Sequence, residues 1–334
     1  MSKTNDLEND LKRFQATFAE MKAEIQKAIV GYDDLLVDTL SAVFSRGHVL
    51  LEGVPGLGKT FLVQTLSKVM GLNPGRVQCT PDLMPADILG THIVNENEEG
   101  RRVMHFERGP VFANLILVDE INRATPKTQA ALLEVMQEGA VTAGGETMKL
   151  PQPFFVMATQ NPMEMEGTYP LPEAQADRFL FKLKVPFPDQ ATLVEISKRT
   201  SGFETTELNQ IVGGDELIEF QKIVARIPVA DHVTDYAARL ILATHPEGED
   251  SVEDVGTYVS YGASPRGMQA LIRGARIHCA LDDRTAVSIE DIKRVALPAL
   301  RHRVILNFQG EAESRDVDSL VESVIESIPS TAAV

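Results

Sequence analysis

The sequence predicts an α/β domain, with a parallel sheet flanked by helices, followed by a smaller all-α domain. Short apolar runs alternate with helical stretches up to residue 188, a pattern that is typical of a parallel sheet covered on both faces. The predicted strands are residues 48–52, 77–79, 115–118, 154–158 and 179–181. After Pro186-Phe187-Pro188 the strand-like runs stop, and helical patterns begin near Asp189, Asp215, Asp231, Pro265 and Ser288.

The first 30 residues form a separate part of the pattern. Apolar residues recur there at spacings of four and three, as in an amphipathic helix. These residues are Leu7, Leu11, Phe14, Phe18, Met21, Ile25 and Ala28. We therefore predict three parts: an N-terminal helix packed on the core (1–30), an α/β domain with two inserted β-hairpins (31–188) and a helical domain (189–334).

The charge balance is acidic, with 32 basic against 48 acidic residues and a net charge of -16. Such a chain repels phosphate backbones unless its basic residues are strongly clustered, so nucleic acid is an unlikely partner. Two cysteines, Cys79 and Cys279, encode neither a disulfide framework nor a Cys-rich zinc site, which favours a reducing compartment. No apolar run approaches the roughly 20 residues of a bilayer span, so we expect a cytoplasmic protein without a transmembrane segment.

One motif carries most of the chemical information. Residues 53–60 match G-x-x-x-x-G-K-[ST] between a predicted strand and a predicted helix, which is the context of a phosphate-binding loop. Lys59 would reach the β- and γ-phosphates, and Thr60 would ligate Mg²⁺. We expect a P-loop NTPase that binds nucleotide through Gly53, Pro55, Gly56, Leu57, Gly58, Lys59, Thr60 and Phe61. The alternative is a Gly-rich turn followed by an exposed lysine.

A second motif supplies two carboxylates. Asp119 and Glu120 follow the apolar strand at residues 115–118, and ligands of open parallel sheets bind at the carboxyl ends of strands. Asp119 would hold Mg²⁺ and Glu120 would polarise the attacking water. The alternative is an ordinary solvated strand end. Because the N-K-x-D guanine motif is absent from the sequence, ATP is favoured over GTP.

The order of these motifs resembles AAA+ ATPases, and more closely the MoxR family within the helix-2-insert clade. The resemblance covers about residues 25–305 and rests on Asp119-Glu120-Ile121-Asn122-Arg123-Ala124, residues 129–138, residues 158–162 and Ser264-Pro265-Arg266. It implies the fold of an AAA+ core with a lid, and an ATP-hydrolysing enzyme.

The resemblance also assigns further site residues. It implies that Asn161 is sensor 1, that Arg178 is an arginine finger serving a neighbouring subunit, and that Arg266 is sensor 2. Val30 and Gly31 match the segment that touches adenine. The alternatives are a turn-forming asparagine, a local ion pair between Arg178 and Asp177, and a plain arginine at a helix start.

The same resemblance implies a homo-oligomeric ring, typically a hexamer, with ATP at each interface. It further implies chaperone-like maturation of protein complexes, often with a von Willebrand factor type A domain protein. Two predicted hairpins, at residues 91–106 and 140–150, have mixed charge and so no basic surface for gripping DNA. The alternatives are a DNA-processing or helicase-like AAA+ motor and a chelatase-like nucleotide-gated scaffold.

Overall fold

The computed structural model describes residues 2–54, 56–96, 102–162, 167–200, 206–248 and 250–329, without the side chains of residues 2–6 and 200. Its strands are β1 (Val49–Glu52), β2 (Pro74–Gln78), β3 (Gly90–Glu96), β4 (Arg102–Arg108), β5 (Leu115–Asp119), β6 (Ala140–Ala143), β7 (Glu146–Lys149), β8 (Phe155–Gln160), β9 (Phe181–Lys184), β10 (Val259–Tyr261) and β11 (Ile305–Leu306).

The helices of the first 200 residues are α1 (Ser2–Gln26), α2 (Asp33–Phe44), α3 (Lys59–Val69), α4 (Pro85–Leu89), α5 (Pro126–Glu138), α6 (Glu173–Ala176) and α7 (Gln190–Thr200). Those that follow are α8 (Gly214–Ala225), α9 (Asp231–Ala243), α10 (Glu253–Tyr258), α11 (Pro265–Leu281), α12 (Ile289–Leu300), α13 (Phe308–Ala312) and α14 (Val317–Ser327).

The central sheet has five parallel strands in the order β2-β5-β8-β1-β9. Successive side chains of a strand point to opposite faces. Val49 and Leu51 of β1 belong to a hydrophobic cluster with α1, α2 and α3, whereas Leu50 belongs to a second cluster with α5. Both faces are therefore covered, and the predicted α/β fold is confirmed.

The last strand of the sheet is displaced from its predicted bounds. Residues 179–181 were expected to be a strand, but β9 begins at Phe181 and continues through Lys182 and Lys184. Phe179 is apolar because it packs in the second hydrophobic cluster. Lys182 and Lys184 interrupt the apolar run that would indicate a strand. They are tolerated because β9 lies at the edge of the sheet, where alternate residues face away from the core.

The N-terminal helix is packed into the shared core by aromatic contacts. The ring of Phe14 lies 5.0 Å from that of Phe44 in α2 and 5.7 Å from that of Phe220 in α8, measured between centroids. Gln15 also donates a hydrogen bond of 2.7 Å to the carbonyl of Leu281. One hydrophobic cluster thus joins α1, one face of the sheet and the later helices. We retain the divisions at 30/31 and 188/189 as a proposal.

The described residues after 206 contain the helices α8 to α14 and a short antiparallel ribbon between β10 and β11. Its last helix, α14, buries Leu320, Val321 and Val324 in the same cluster as the other late helices. Asp318 of α14 forms an ion pair of 2.7 Å with Lys184 of β9. The C-terminal segment therefore contacts both the other late helices and the edge strand β9.

Both predicted hairpins form. β3 pairs antiparallel with β4, and β6 pairs antiparallel with β7. The first hairpin exposes apolar side chains, with Val94 56% and Met104 65% exposed. A Cβ atom on Gly144, in the turn of the second hairpin, would lie 2.5 Å from the ring of His92 in the first, so the two hairpins touch.

Both cysteines are buried and free of disulfide bonds. Burial raises the pKa of the Cys79 thiol to about 12 and that of Cys279 to about 11. Among the helices that the structure describes, none combines the length and apolar character that crossing a membrane requires.

We predict that Phe14→Ala lowers the free energy of unfolding by about 3–5 kcal/mol, because it opens a cavity between three helices. Urea denaturation followed by circular dichroism measures this loss. Phe308→Ala is the matched control, since Phe308 is 87% exposed and its removal should change stability by no more than about 0.5 kcal/mol. Equal losses in both variants would contradict this account of α1.

Candidate functional site

Three neighbouring strands of the sheet end in the polar segments that the sequence singled out. β5, β8 and β1 are adjacent, and they are followed by Glu120, Asn161 and Gly53. The backbone N–H of Gly53 donates to the carbonyl of Gln160 over 3.2 Å. Because parallel strands end at one edge, the sheet brings these segments together at its carboxyl edge.

The loop between β1 and α3 has the geometry of an anion cradle. Gly56 and Gly58 have φ values of 85° and 75°, in the left-handed region that favours glycine, with open space where a side chain would start. α3 begins at Lys59, so its free N–H groups face the loop. Pro55, the remaining predicted contact of this loop, lies outside the described residues.

Lys59 is half-buried beside the two acids. Its ammonium donates a hydrogen bond of 2.6 Å to the carbonyl of Gly53. Burial lowers the pKa of Lys59, and the charges of Asp119 and Glu120 oppose that effect. Lys59 is therefore close enough to both acids for their charges to act on it, while it also contacts the loop.

The acid pair is held in place by a threonine that the sequence did not single out. Thr159 of β8 donates its hydroxyl to Asp119 Oδ1 over 2.7 Å and accepts the backbone N–H of Glu120 over 2.8 Å. Glu120 has a φ of 55°, a left-handed conformation that is uncommon for residues other than glycine. One hydroxyl thus fixes both the side chain of Asp119 and the turn at Glu120.

Side chains of β2 and of the turn after β5 hold the two carboxylates. Arg76 reaches Asp119 Oδ2 at 3.1 Å, and Arg123 reaches Glu120 Oε2 at 3.2 Å. Gln78 donates to the same oxygen of Glu120 at 3.4 Å. Sequence reasoning missed these roles because Arg76 and Gln78 lie about 40 positions from the acids and only the pairing of β2 with β5 brings them close.

A cavity of about 470 Å³ adjoins the loop. Its lining is mostly apolar and comes from the segment after α1, from α2, the loop and α3, and from α7 with the residues before it. Val30, Leu57, Lys59 and Phe61, which the sequence assigns to nucleotide binding, line it together with Phe187. An apolar cavity beside a phosphate cradle suits a flat base attached to phosphates.

Gly31 lies beside this cavity and is not part of its lining. It has a φ of 72°, and a Cβ atom there would lie 3.1 Å from Thr192 Cγ2. Its contribution is therefore to turn the chain, which allows α7 to approach. Tyr32, which follows in the left-handed region with a φ of 61°, does line the cavity.

Arg199 connects α7 to the end of α1, next to the cavity. Its guanidinium donates to the carbonyls of Gln26 and Lys27, at the end of α1, over 2.9 and 3.0 Å. It also pairs with Glu195, one turn earlier, at 2.8 Å. A cation at a helix C-terminus satisfies free carbonyls and the helix dipole. Nothing in the local sequence indicates this bridge.

Arg178 and Arg266 lie at the opposite edge of the sheet. Arg178 precedes β9, and both arginines line a cavity that also includes Gly47 and His48, just before β1. The four residues of β1 span about 13 Å at the usual rise of a strand. Neither arginine is therefore grouped with Lys59, Asp119, Glu120 and Asn161 in this chain.

The alternative of an ion pair between Arg178 and Asp177 is wrong. Asp177 instead accepts hydrogen bonds from Arg303 Nε at 2.7 Å and from Ser264 at 2.9 Å, and it lies 3.7 Å from Arg266. Within the described parts of the chain, Arg178 forms no ion pair, and its Nε is buried without a hydrogen-bond partner.

The donors near the loop fit Mg²⁺ accompanied by phosphate. Mg²⁺ prefers oxygen ligands and usually takes one or two from protein, with water and phosphate oxygens completing the shell. Asp119 supplies a carboxylate, and Thr60 is placed in the first turn of α3. Over the residues that the structure covers, no cluster of three or more His, Cys, Asp or Glu side chains could hold a metal alone.

Two family descriptions match this chain. The ATPase family associated with various cellular activities (AAA) matches residues 48–181, and the AAA lid domain matches residues 252–324. The first range contains the loop, the acid pair, Asn161 and Arg178, and the second contains Arg266. Both groups of candidate residues thus fall within known ATPase modules.

Several relatives match over most of their length. Chaperone MoxR1 of Mycobacterium tuberculosis is 43% identical over 305 residues, covering 91% of this chain and 80% of the relative. Protein MoxR of Methylorubrum extorquens is 31% identical over 330 residues, covering 93% and 94%. A crystal structure of a candidate ATPase from Cytophaga hutchinsonii superimposes with a TM-score of 0.91 at 38% identity, covering 98% of this chain and 99% of that one.

We predict that Arg199→Ala weakens the binding of a fluorescent ATP analogue by about three- to tenfold, because the charge-assisted hydrogen bonds that join the cavity walls are lost. Fluorescence titration measures the affinity. Arg239→Ala is the matched control: Arg239 also pairs with an acid one turn earlier, Asp235 at 3.0 Å, and donates to the distant carbonyl of Pro329 at 3.4 Å. Equal affinities for the two variants would contradict the assigned role.

Proposed function

Because the chain belongs to the MoxR family of AAA ATPases, we propose that it hydrolyses ATP to ADP and phosphate at the carboxyl edge of its sheet. The observation that carries the proposal is the convergence of the phosphate loop, the acid pair and Asn161 at the ends of β1, β5 and β8. The adjoining apolar cavity supplies a place for the base.

Each residue has a distinct task in this proposal. The loop N–H groups and Lys59 hold the phosphates, and Glu120 accepts a proton from the attacking water. Asn161, buried directly after β8, orients that water. Arg123 and Gln78 both contact Oε2 of Glu120 and hold the carboxylate in place, so Oε1 is the oxygen that we assign to the water. Thr60 and Asp119 would hold Mg²⁺, which would neutralise charge at the phosphates.

We further propose that Arg178 and Arg266 act on ATP held by a neighbouring copy. They lie together at the amino edge, one strand length from their own loop, and an arginine at a transferring phosphate stabilises the charge that develops there. A contact between the carboxyl edge of one copy and the amino edge of the next is heterologous, and it closes into a ring when the rotation allows. We expect a hexamer.

The energy of hydrolysis is proposed to remodel protein complexes. The exposed apolar residues Val94 and Met104 on the first hairpin favour a protein partner, and a von Willebrand factor type A domain protein is the candidate. The acidic net charge of -16 disfavours nucleic acid. Two buried free thiols are in keeping with a cytoplasmic location.

We predict that Glu120→Gln retains ATP and lowers the hydrolysis rate at least about 100-fold, because the base is lost while the charge-neutral side chain keeps its shape. Lys59→Ala should instead weaken ATP binding at least about tenfold, since a charge-assisted contact to phosphate disappears. Phosphate release and ATP titration separate the two effects. Unchanged turnover in both variants would remove the proposed site.

Mixing experiments test whether Arg178 acts on a neighbour. Arg178→Ala and Glu120→Gln should each be nearly inactive alone, yet a mixture should hydrolyse ATP faster than the sum of the separate chains. In a mixed ring, an intact acid site of one variant meets an intact arginine of the other. A mixture that shows only the summed activity would contradict action between copies.

A further inference from the structure

The cavity at the amino edge of the sheet concentrates positive charge in an otherwise acidic chain. It has a volume of about 190 Å³, and its charged lining consists of Arg46, Arg178, Arg266, Arg273, Arg303 and Asp177. Asp177 is already engaged by Arg303 at 2.7 Å and by Ser264. Burial lowers the pKa of His48, also in the lining, to about 4, so its ring stays neutral. The lining therefore carries an excess of cations.

Two of these guanidinium groups lack a counter-charge. Arg178 has a buried Nε without a partner. Arg273 donates to the carbonyl of Ser45, and in the described part of the chain it pairs with no carboxylate. Burial and the charge of Arg46 lower the pKa of Arg273 to about 10. Buried charges are costly unless they are paired, so the cavity favours entry of an anion.

We propose that Arg273 completes an oxyanion site in this cavity together with Arg178 and Arg266, and that the ligand is a tetrahedral phosphate group. Arg266 and Arg273 lie two turns apart on α11, and Gln269 between them lines the same wall. Guanidinium groups bind phosphate oxygens through paired N–H donors. The N-terminus of α11 adds partial positive charge from the same side.

The phosphate group has two possible sources. One is the γ-phosphate of ATP bound to a neighbouring copy, and this source rests on the proposed function. The other is free orthophosphate, for which the cavity of one chain suffices. Arg273 takes part in both cases, and the two sources give different results in the experiments below.

Titration with orthophosphate tests the site itself. Isothermal titration is done in a Lys59→Ala background, so that the loop at residues 53–60 does not contribute. Adding Arg273→Ala should weaken saturable binding at least tenfold, and Arg273→Lys should weaken it less. Adding Arg276→Ala is the control: Arg276 lies on the same helix and donates to the carbonyl of Ile227 at 3.0 Å, outside the cavity lining. Absent binding, or binding indifferent to Arg273, overturns the proposal.

A second variant tests the same cavity independently, in case Arg273→Ala does not fold. Arg46 is exposed and has a φ of 55°, so Arg46→Asn keeps a residue that tolerates the left-handed region while removing one charge from the same cavity. It should also weaken orthophosphate binding, by less than Arg273→Ala. Circular dichroism confirms that each variant is folded.

Mixing with Glu120→Gln identifies the source of the phosphate group. If a mixture of Arg273→Ala with Glu120→Gln hydrolyses ATP faster than the sum of the separate chains, the ligand is the neighbour's γ-phosphate. If the Arg273→Ala mixture shows only the summed activity, whereas the Arg178→Ala mixture exceeds its sum, the ligand is free orthophosphate. If neither mixture recovers, the proposed action between copies fails, and the orthophosphate titration alone decides whether the site exists.

Discussion

The parallel alignment of β1, β5 and β8 is the constraint on which the rest of the structure depends. It gives the sheet two chemically different edges. The carboxyl edge collects the loop after β1, the acid pair after β5 and Asn161 after β8. The amino edge collects the arginines that precede β9 or begin α11. Because strands are rigid and fully paired, side chains of one edge cannot be rearranged to reach the other.

The carboxyl edge is organised by hydrogen bonds that cross between strands. Thr159 of β8 holds Asp119 and the turn at Glu120, while Arg76 of β2 holds the second oxygen of Asp119. The acids are thus fixed from both neighbouring strands. β2 also leads through α4 into the first hairpin.

The helices outside the sheet contribute by closing its two edges. α7 forms a wall of the apolar cavity and is joined to the end of α1 by Arg199, whereas α11 forms a wall of the basic cavity. The hydrophobic cluster that includes Phe14, Phe44 and Phe220 joins α1 and α11 to the sheet. The late helices therefore border both kinds of site.

The sequence by itself determined the fold class, the phosphate loop and the acid pair, because each depends on neighbouring residues whose spacing is visible along the chain. Strand bounds were less certain where an edge strand such as β9 carries lysines. Local pattern also could not reveal contacts between residues 43, 172 or 228 positions apart, such as Arg76 with Asp119, Arg199 with Lys27 and Arg273 with Ser45. Only the tertiary structure decided these partners and separated Arg178 from its own loop, since strand order and helix packing set the distances between remote segments.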